Sequence, residues 1–243
     1  MTLDGTWSHG TNATATVTNV RGTGRLDIFH GRVTVRAGGG TLGTSRVGEL
    51  LVGGPGQLDR GQLDLTDHDL VIDYTGATPI QTTRQQLRVG YDGGDWDGFG
   101  IITTSGTAGG LGIGFAEASA LFTSFPAAFS GQPVDDTSVL LRFTRFGDAN
   151  LDGSVNLADF NRLASNFGAT GAVWSRGDFN YDGTVNLADF NLLASNFGLS
   201  ASGPDVTPED WAALASAVPE PTGVIAFTGV AASAAMLRRR RRC

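Results

Sequence analysis

Residues 148–168 read DANLDGSVNLADFNRLASNFG, and residues 178–198 read DFNYDGTVNLADFNLLASNFG. The offset is 30, and 17 of the 21 positions are identical. The four differences are Ala149/Phe179, Leu151/Tyr181, Ser154/Thr184 and Arg162/Leu192. A duplication this sharp is one supersecondary unit used twice, because a unit of this size cannot bury its apolar face alone. The rest of the chain must therefore accommodate two near-identical units side by side.

Each unit opens with twelve residues of the form D-x-N-x-D-G-x-x-N-x-x-D. Calcium takes six to eight oxygens at about 2.3–2.6 Å, and this spacing supplies them from one short stretch of chain. In the first loop Asp148, Asn150 and Asp152 stand at positions 1, 3 and 5. Ser154 offers its carbonyl at position 7, Asn156 stands at 9 and Asp159 closes the loop at 12. The second loop repeats the set with Asp178, Asn180, Asp182, Thr184, Asn186 and Asp189. Gly153 and Gly183 fall at position 6, where the loop turns sharply. Three carboxylates per loop repel one another without a cation, so folding is expected to be linked to two Ca²⁺ ions. Val155 and Val185 at position 8 are expected to pair the two loops with each other.

A helix is expected after each loop. Phe160, Leu163, Ala164 and Phe167 recur at i, i+3, i+4 and i+7, as do Phe190, Leu193, Ala194 and Phe197, giving one apolar face per helix. Gly168 and Gly198 stand where a C-terminal cap belongs. Arg145-Phe146-Gly147 and Trp174-Ser175-Arg176-Gly177 are too short for entering helices, so each unit is half of an EF-hand. Two halves packed antiparallel would bury both faces, with Trp174 as a bridge. The pair, over about residues 147–200, resembles a type I dockerin, the calcium-dependent module that attaches polysaccharide-degrading enzymes to cohesins. The resemblance implies a cohesin-like protein or an extracellular polysaccharide as partner. At positions 10 and 11, where such modules often carry Ser/Thr, this chain has Leu157-Ala158 and Leu187-Ala188, a departure from the cohesin-contact pattern.

Before the repeats the pattern changes. Residues 13–20, 25–29, 32–36, 57–59, 62–65 and 70–74 alternate with period two and are separated by glycines, as short half-buried strands would be. Gly occurs 36 times in 243 residues, about twice the usual ~7%. Strands about ten residues apart suit a sandwich or the last coils of a β-solenoid. Residues 79–88 place Ile80, Arg84 and Leu87 near helical spacing and predict one short helix. Most of residues 60–146, on the stretches LDLTDHDLVIDYTG and YDGGDWDGFGI, resembles the region found before dockerin repeats in secreted proteins of planctomycete-type bacteria.

The tail, VPEPTGVIAFTGVAASAAMLRRRRRC over 218–243, has its own logic. Pro219-Glu220-Pro221 precedes an uncharged stretch from Thr222 to Leu237, and Arg238 to Arg242 follow it. An apolar run followed by arginines is a stop-transfer signal. Motif, run and arginines in that order match the PEP-CTERM sorting tail of exported bacterial proteins. The match implies a sorting peptidase as partner, transient membrane anchoring and a cell-surface or extracellular destination. Met1 to Val20 carries no secretory signal, so the natural N-terminus is expected to lie upstream.

Charge and motif searches exclude further classes. The 17 basic residues are all arginine, and five of them are in the tail, leaving 12 against 24 acids, a body charge of −12. That argues against nucleic acid. One cysteine, Cys243, excludes an internal disulfide. His9, His30 and His68 lack partner motifs and read as surface or strand histidines. Asp135-Asp136 and Asp95/Asp97 have the residue types of a glycosidase pair, but among 20 aspartates coincidence explains them better. No nucleophile, phosphate-loop or dinucleotide motif is present.

The expected fold class is mainly β, solenoid- or sandwich-like, followed by a small α module of two half EF-hands and a C-terminal hydrophobic helix. The expected segments are a Gly-rich β region (1–75), a mixed region (76–146), the calcium-loop pair (147–200), a linker with a short helix (201–217) and the sorting tail (218–243). The expected function is an exported, surface-associated calcium-binding protein, linked by resemblance to polysaccharide catabolism and without catalysis in this chain. The alternatives are a fragment of a secreted glycoside hydrolase whose catalytic part is missing, or an adhesin or matrix component.

Overall fold

The computed structural model describes residues 1–3, 5–9, 14–38, 43–53, 60–107, 110–201 and 203–204. The chain winds so that each turn adds one strand to each of three stacks. The first turn supplies β1 (Thr2–Leu3), β2 (Thr6–His9) and β3 (Thr14–Val17). The second supplies β4 (Arg21–Gly22), β5 (Arg25–Ile28) and β6 (Arg32–Val35). The third supplies β7 (Ser45–Val47), β8 (Glu49–Val52) and β9 (Gln62–Asp64). All pairing within the stacks is parallel: β2–β5–β8 in register Trp7↔Leu26 and Leu26↔Leu50, and β3–β6–β9 in register Val17↔Val35 and Val33↔Leu63.

Glycine at the corners makes this stacking possible. Gly48 lies directly on the previous turn, donating its N–H to the Gly24 carbonyl at 2.8 Å. A Cβ there would come within 2.2 Å of the Thr23 carbonyl oxygen. Inside the turns Leu26, Ile28, Val33, Val35, Val47 and Leu63 are buried, each worth roughly 1.5–3 kcal/mol over an exposed position.

The fourth turn departs from the pattern. β10 (Leu70–Asp73) continues the first stack on β7, but helix α1 (Ile80–Tyr91) takes the place of a middle strand. β11 (Gly100–Ile102) then lies parallel to β9. The chain next reverses. β12 (Leu111–Glu117), the single-turn α2 (Ala118–Leu121), the hairpin β13 (Ala127–Phe129) and β14 (Gln132–Val134), and β15 (Ser138–Arg145) follow in order. β15 is antiparallel to both β10 and β12. The Thr44 hydroxyl donates to the Ser130 carbonyl at 2.9 Å and ties the hairpin to the body.

The structure corrects the expected fold class. The chain has α/β character, with parallel-rich sheets and a twelve-residue helix between β10 and β11, each of which lies parallel to a strand of the preceding turn. Period-two alternation marks a strand but not the direction of its partner, so it left the antiparallel sandwich open, and the parallel registers overturn it. Among the described residues no helix is long and apolar enough to cross a membrane. The expected linker helix, Pro219-Glu220-Pro221 and the hydrophobic C-terminal helix lie outside the described residues, as does 57–59. His68 is a second correction: its side chain is fully buried, with Nδ1 3.2 Å from Asp67.

Helices α3 (Leu157–Ser165) and α4 (Leu187–Asn196) belong to the two repeats. Each starts at an asparagine, Asn156 or Asn186, whose side chain accepts from the amide two residues on. The aspartate three residues later accepts from the cap's own N–H at 2.9 Å, closing a reciprocal capping box. Gly168 and Gly198 follow the helices with φ of 85° and 87°.

Candidate metal centre

The two units pack as a pseudo-symmetric pair. Gly147, before loop 1, lies against α4: a Cβ there would meet the Leu193 Cα at 2.9 Å. Gly177, before loop 2, lies against α3, with the Leu163 Cα at 2.8 Å from the same point. Phe160 and Phe190 meet across the pair at 6.3 Å. The expected Val155–Val185 contact is corrected. Val155 exchanges hydrogen bonds with the segment that follows α4 (Leu199 O at 2.9 Å, Gly198 N at 2.8 Å), and Val185 with the segment that follows α3 (Ala169 O at 3.0 Å, Gly168 N at 2.9 Å). Each loop is thus held by the exit of the other unit's helix. Phe167 also departs from expectation: it is 58% exposed, whereas its counterpart Phe197 is buried.

Within each loop the carboxylates at positions 1 and 12 are buried. Asp148, Asp159, Asp178 and Asp189 are 0% exposed. Asp159 Oδ1 accepts from the amides of Ala149 and Asn150, and Asp189 Oδ1 from those of Phe179 and Asn180. The position-5 carboxylates are exposed and turn back on the loop, with Ser154 N 2.9 Å from Asp152 Oδ1 and Thr184 N 2.7 Å from Asp182 Oδ1. Asn150 and Asn180 donate to the second oxygen of the same aspartates, at 2.7 and 3.0 Å. Among the described residues no three His, Cys, Asp or Glu side chains converge as a cluster; Asp152 and Asp182 are each taken up by their own loop's amides.

The electrostatics are those of a site short of positive charge. Burial, with repulsion from Asp152 added, pushes the Asp148 carboxyl up to about 6. Burial, with repulsion from Asp148, pushes Asp159 up to about 7. Burial, with repulsion from Asp189 and Asp182, pushes Asp178 up to about 7. Asp189 is raised, chiefly by burial. The loops differ at position 1: Asp148 Oδ1 accepts from Asp152 N at 3.1 Å, whereas in the second loop Asp182 N turns to Asn180 Oδ1 at 3.0 Å and leaves Asp178 Oδ1 without that donor. Asp148 Oδ2 receives the Thr144 hydroxyl at 2.5 Å and Gly153 N at 2.9 Å. The residue equivalent to Thr144 in the second unit is Trp174, and Asp178 Oδ1 is buried with no hydrogen-bond partner. A buried, unpartnered carboxylate oxygen costs several kcal/mol unless something positive meets it. The donor set, all oxygens from Asp, Asn and backbone carbonyls, is that of a hard cation such as Ca²⁺.

The pair is built into the body, which the sequence did not foretell. Arg142 of β15 donates to the Leu151 carbonyl. Arg84 of α1 donates to the Tyr181 carbonyl at 3.0 Å, and Arg145 to that of Ser200 at 3.1 Å. The Tyr181 hydroxyl reaches the Ile113 carbonyl at 2.9 Å, and the Trp174 indole reaches the Asp148 carbonyl at 2.6 Å. Tyr181 lies 5.3 Å from Tyr91, 6.1 Å from Trp96 and 5.5 Å from Trp174, ring to ring. Two of the four differing pairs, Ala149/Phe179 and Leu151/Tyr181, are therefore buried positions, and at Leu151 and Tyr181 the repeats meet different parts of the body. Leu151 and Tyr181 both hold positive φ, 57° and 61°, at loop position 4.

Of the other candidate acids, Asp135 has a local role. Asp135 Oδ1 accepts from Thr137 N at 3.0 Å and from the Ser138 hydroxyl at 3.0 Å, stapling the turn into β15. No protein-family model matches the chain, and neither a curated protein nor a solved structure matches it significantly.

Proposed function

We propose that this chain is a calcium-binding surface protein in which two loops, each taking one Ca²⁺, hold a dockerin-like pair against a parallel-stranded body. The observation that carries the reading is the buried carboxylate pair at positions 1 and 12 of both loops, with Asp178 Oδ1 left unpartnered. In loop 1 Asp148, Asn150, Asp152, the Ser154 carbonyl, Asn156 and Asp159 would hold the ion. In loop 2 Asp178, Asn180, Asp182, the Thr184 carbonyl, Asn186 and Asp189 would do so. The ion supplies charge compensation and cross-links the loop. The role is structural and docking, not catalytic.

Export and surface attachment follow from the resemblance of the tail to a sorting signal. A link to polysaccharide catabolism, through a cohesin-like partner or an extracellular polysaccharide, follows from the resemblance of the repeat. Calorimetric titration of the full chain with Ca²⁺ tests the metal reading. Two ions per chain are expected; fewer, or a melting temperature indifferent to chelator, overturns it.

A further inference from the structure

We propose that the cleft between the first repeat and the body is a binding site for an acidic saccharide. It has a volume of about 600 Å³ and is walled by α1, α2, α3 and the short turn Trp174–Arg176. Two guanidiniums line it, Arg162 from α3 and Arg176 from the turn before loop 2. Neither makes an ion pair among the described residues. Arg162 has only two long contacts, 3.4 Å each, to the Ala120 carbonyl. The one carboxylate on the wall, Glu117, is engaged by the Tyr74 hydroxyl at 3.2 Å and by Thr78. In a chain of net charge −7, a concavity lined by two arginines that make no ion pair and by one carboxylate keeps a local excess of positive charge, which favours an anion.

The repeat itself marks this wall. The two units differ at only four positions, and the one that changes charge is Arg162, whose twin is Leu192. Leu192 packs partly buried against the core. Arg162 instead lines the cleft, so the positive charge belongs to the first unit alone.

The remaining lining separates a sugar from a peptide. Asn161, Asn166, Gln81 and Ser165 offer amides and a hydroxyl, groups that both donate and accept, as sugar hydroxyls do. Ile80 and Val173 provide an apolar floor. An extended peptide would seek a free strand edge, and the walls are helices and a turn. A carboxylate-bearing sugar meets the arginines with its acid and the amides with its hydroxyls. Because the walls come from the body and from both units, this site is complete only while the repeats are docked, and in that respect it rests on the calcium reading.

The test uses full-length protein loaded with Ca²⁺, freed of excess ion and titrated calorimetrically with tri-galacturonic acid. Binding is expected, with at least tenfold weakening in Arg162→Leu, a change the second repeat already carries at the same place. Arg176→Gln is expected to weaken it similarly and serves if the first variant misfolds. Neutral cellotriose is expected to bind at least tenfold more weakly. No binding by a chain that holds two Ca²⁺, equal binding of the neutral sugar, or tighter binding of tri-glutamate than of the sugar overturns the proposal. Calcium stoichiometry is measured on the same samples: a chain that takes up no calcium yet binds the sugar overturns the metal reading and leaves this site standing.

Discussion

Asp178→Asn is expected to stabilise the protein in chelator and to lose most of the increment in stability that one bound calcium gives the parent. Without calcium, Asp178 is a buried carboxyl pushed up to about 7 by burial and by Asp189 and Asp182. The ordinary value is 3.8, so at pH 8 ionisation in the folded chain carries a penalty of up to about 4 kcal/mol at ~1.4 kcal/mol per unit. Asparagine keeps an acceptor for Gly183 N, now 3.0 Å from Asp178 Oδ2, and removes the charge. If half the penalty is recovered, the gain is about 2 kcal/mol, or roughly 4–8 °C for a domain of this size. With calcium at about 100 times its dissociation constant, one site adds about 2.7 kcal/mol to the parent and little to the variant. Thermal melts at pH 8 in EGTA and in calcium read both numbers. A variant that melts lower than the parent in EGTA, or that gains as much from calcium as the parent does, refutes the reasoning.

Three further outcomes follow from the same geometry. The calcium-free protein is expected to melt higher at pH 5 than at pH 8. Carboxyls raised to about 6 and 7 hold protons in the folded chain that the unfolded chain has released, so their stabilisation is complete below about pH 4 and gone once pH passes about 7; added calcium should reverse that slope and release protons at pH 6. Gly177→Ala should cost more than about 2 kcal/mol in a denaturant melt, because φ is +104° and the Cβ would sit 2.8 Å from the Leu163 Cα, whereas Gly171→Ala, at φ +66° with nothing within 4 Å, should cost about 1 kcal/mol. Tyr181→Phe removes the donor to the Ile113 carbonyl and should cost about 1–2 kcal/mol, with faster amide exchange along β12 as well as in loop 2.

Legibility in the sequence divided along physical lines. The loops are local: ligand spacing and the turning glycine lie within twelve residues, and a helix follows each loop as the apolar spacing places it. The capping by Asn156 and Asn186, read in the sequence only as position 9, emerges from the structure. Pairing direction is not local. The alternation of Arg25–Ile28 or Arg32–Val35 is equally consistent with parallel and antiparallel partners, and the strand spacing of about ten residues left stacked turns and a sandwich both open. Docking of the repeats on the body was invisible because it joins distant residues: Arg84 to Tyr181 across 97 positions, and Tyr181 to Ile113 across 68. Its trace was nevertheless present in the four differences between the units, of which Ala149/Phe179 and Leu151/Tyr181 are buried in the packed pair. Phe167 reads as core by helical spacing and is exposed, because the pair covers Phe197 and leaves its twin open.

Native mass spectrometry of the full chain in millimolar calcium tests the central claim most directly. The account predicts two bound Ca²⁺ in the parent, one in Asp178→Asn and none in the Asp148→Asn/Asp178→Asn double variant. A parent that carries no calcium, or a count that the substitutions leave unchanged, would contradict it.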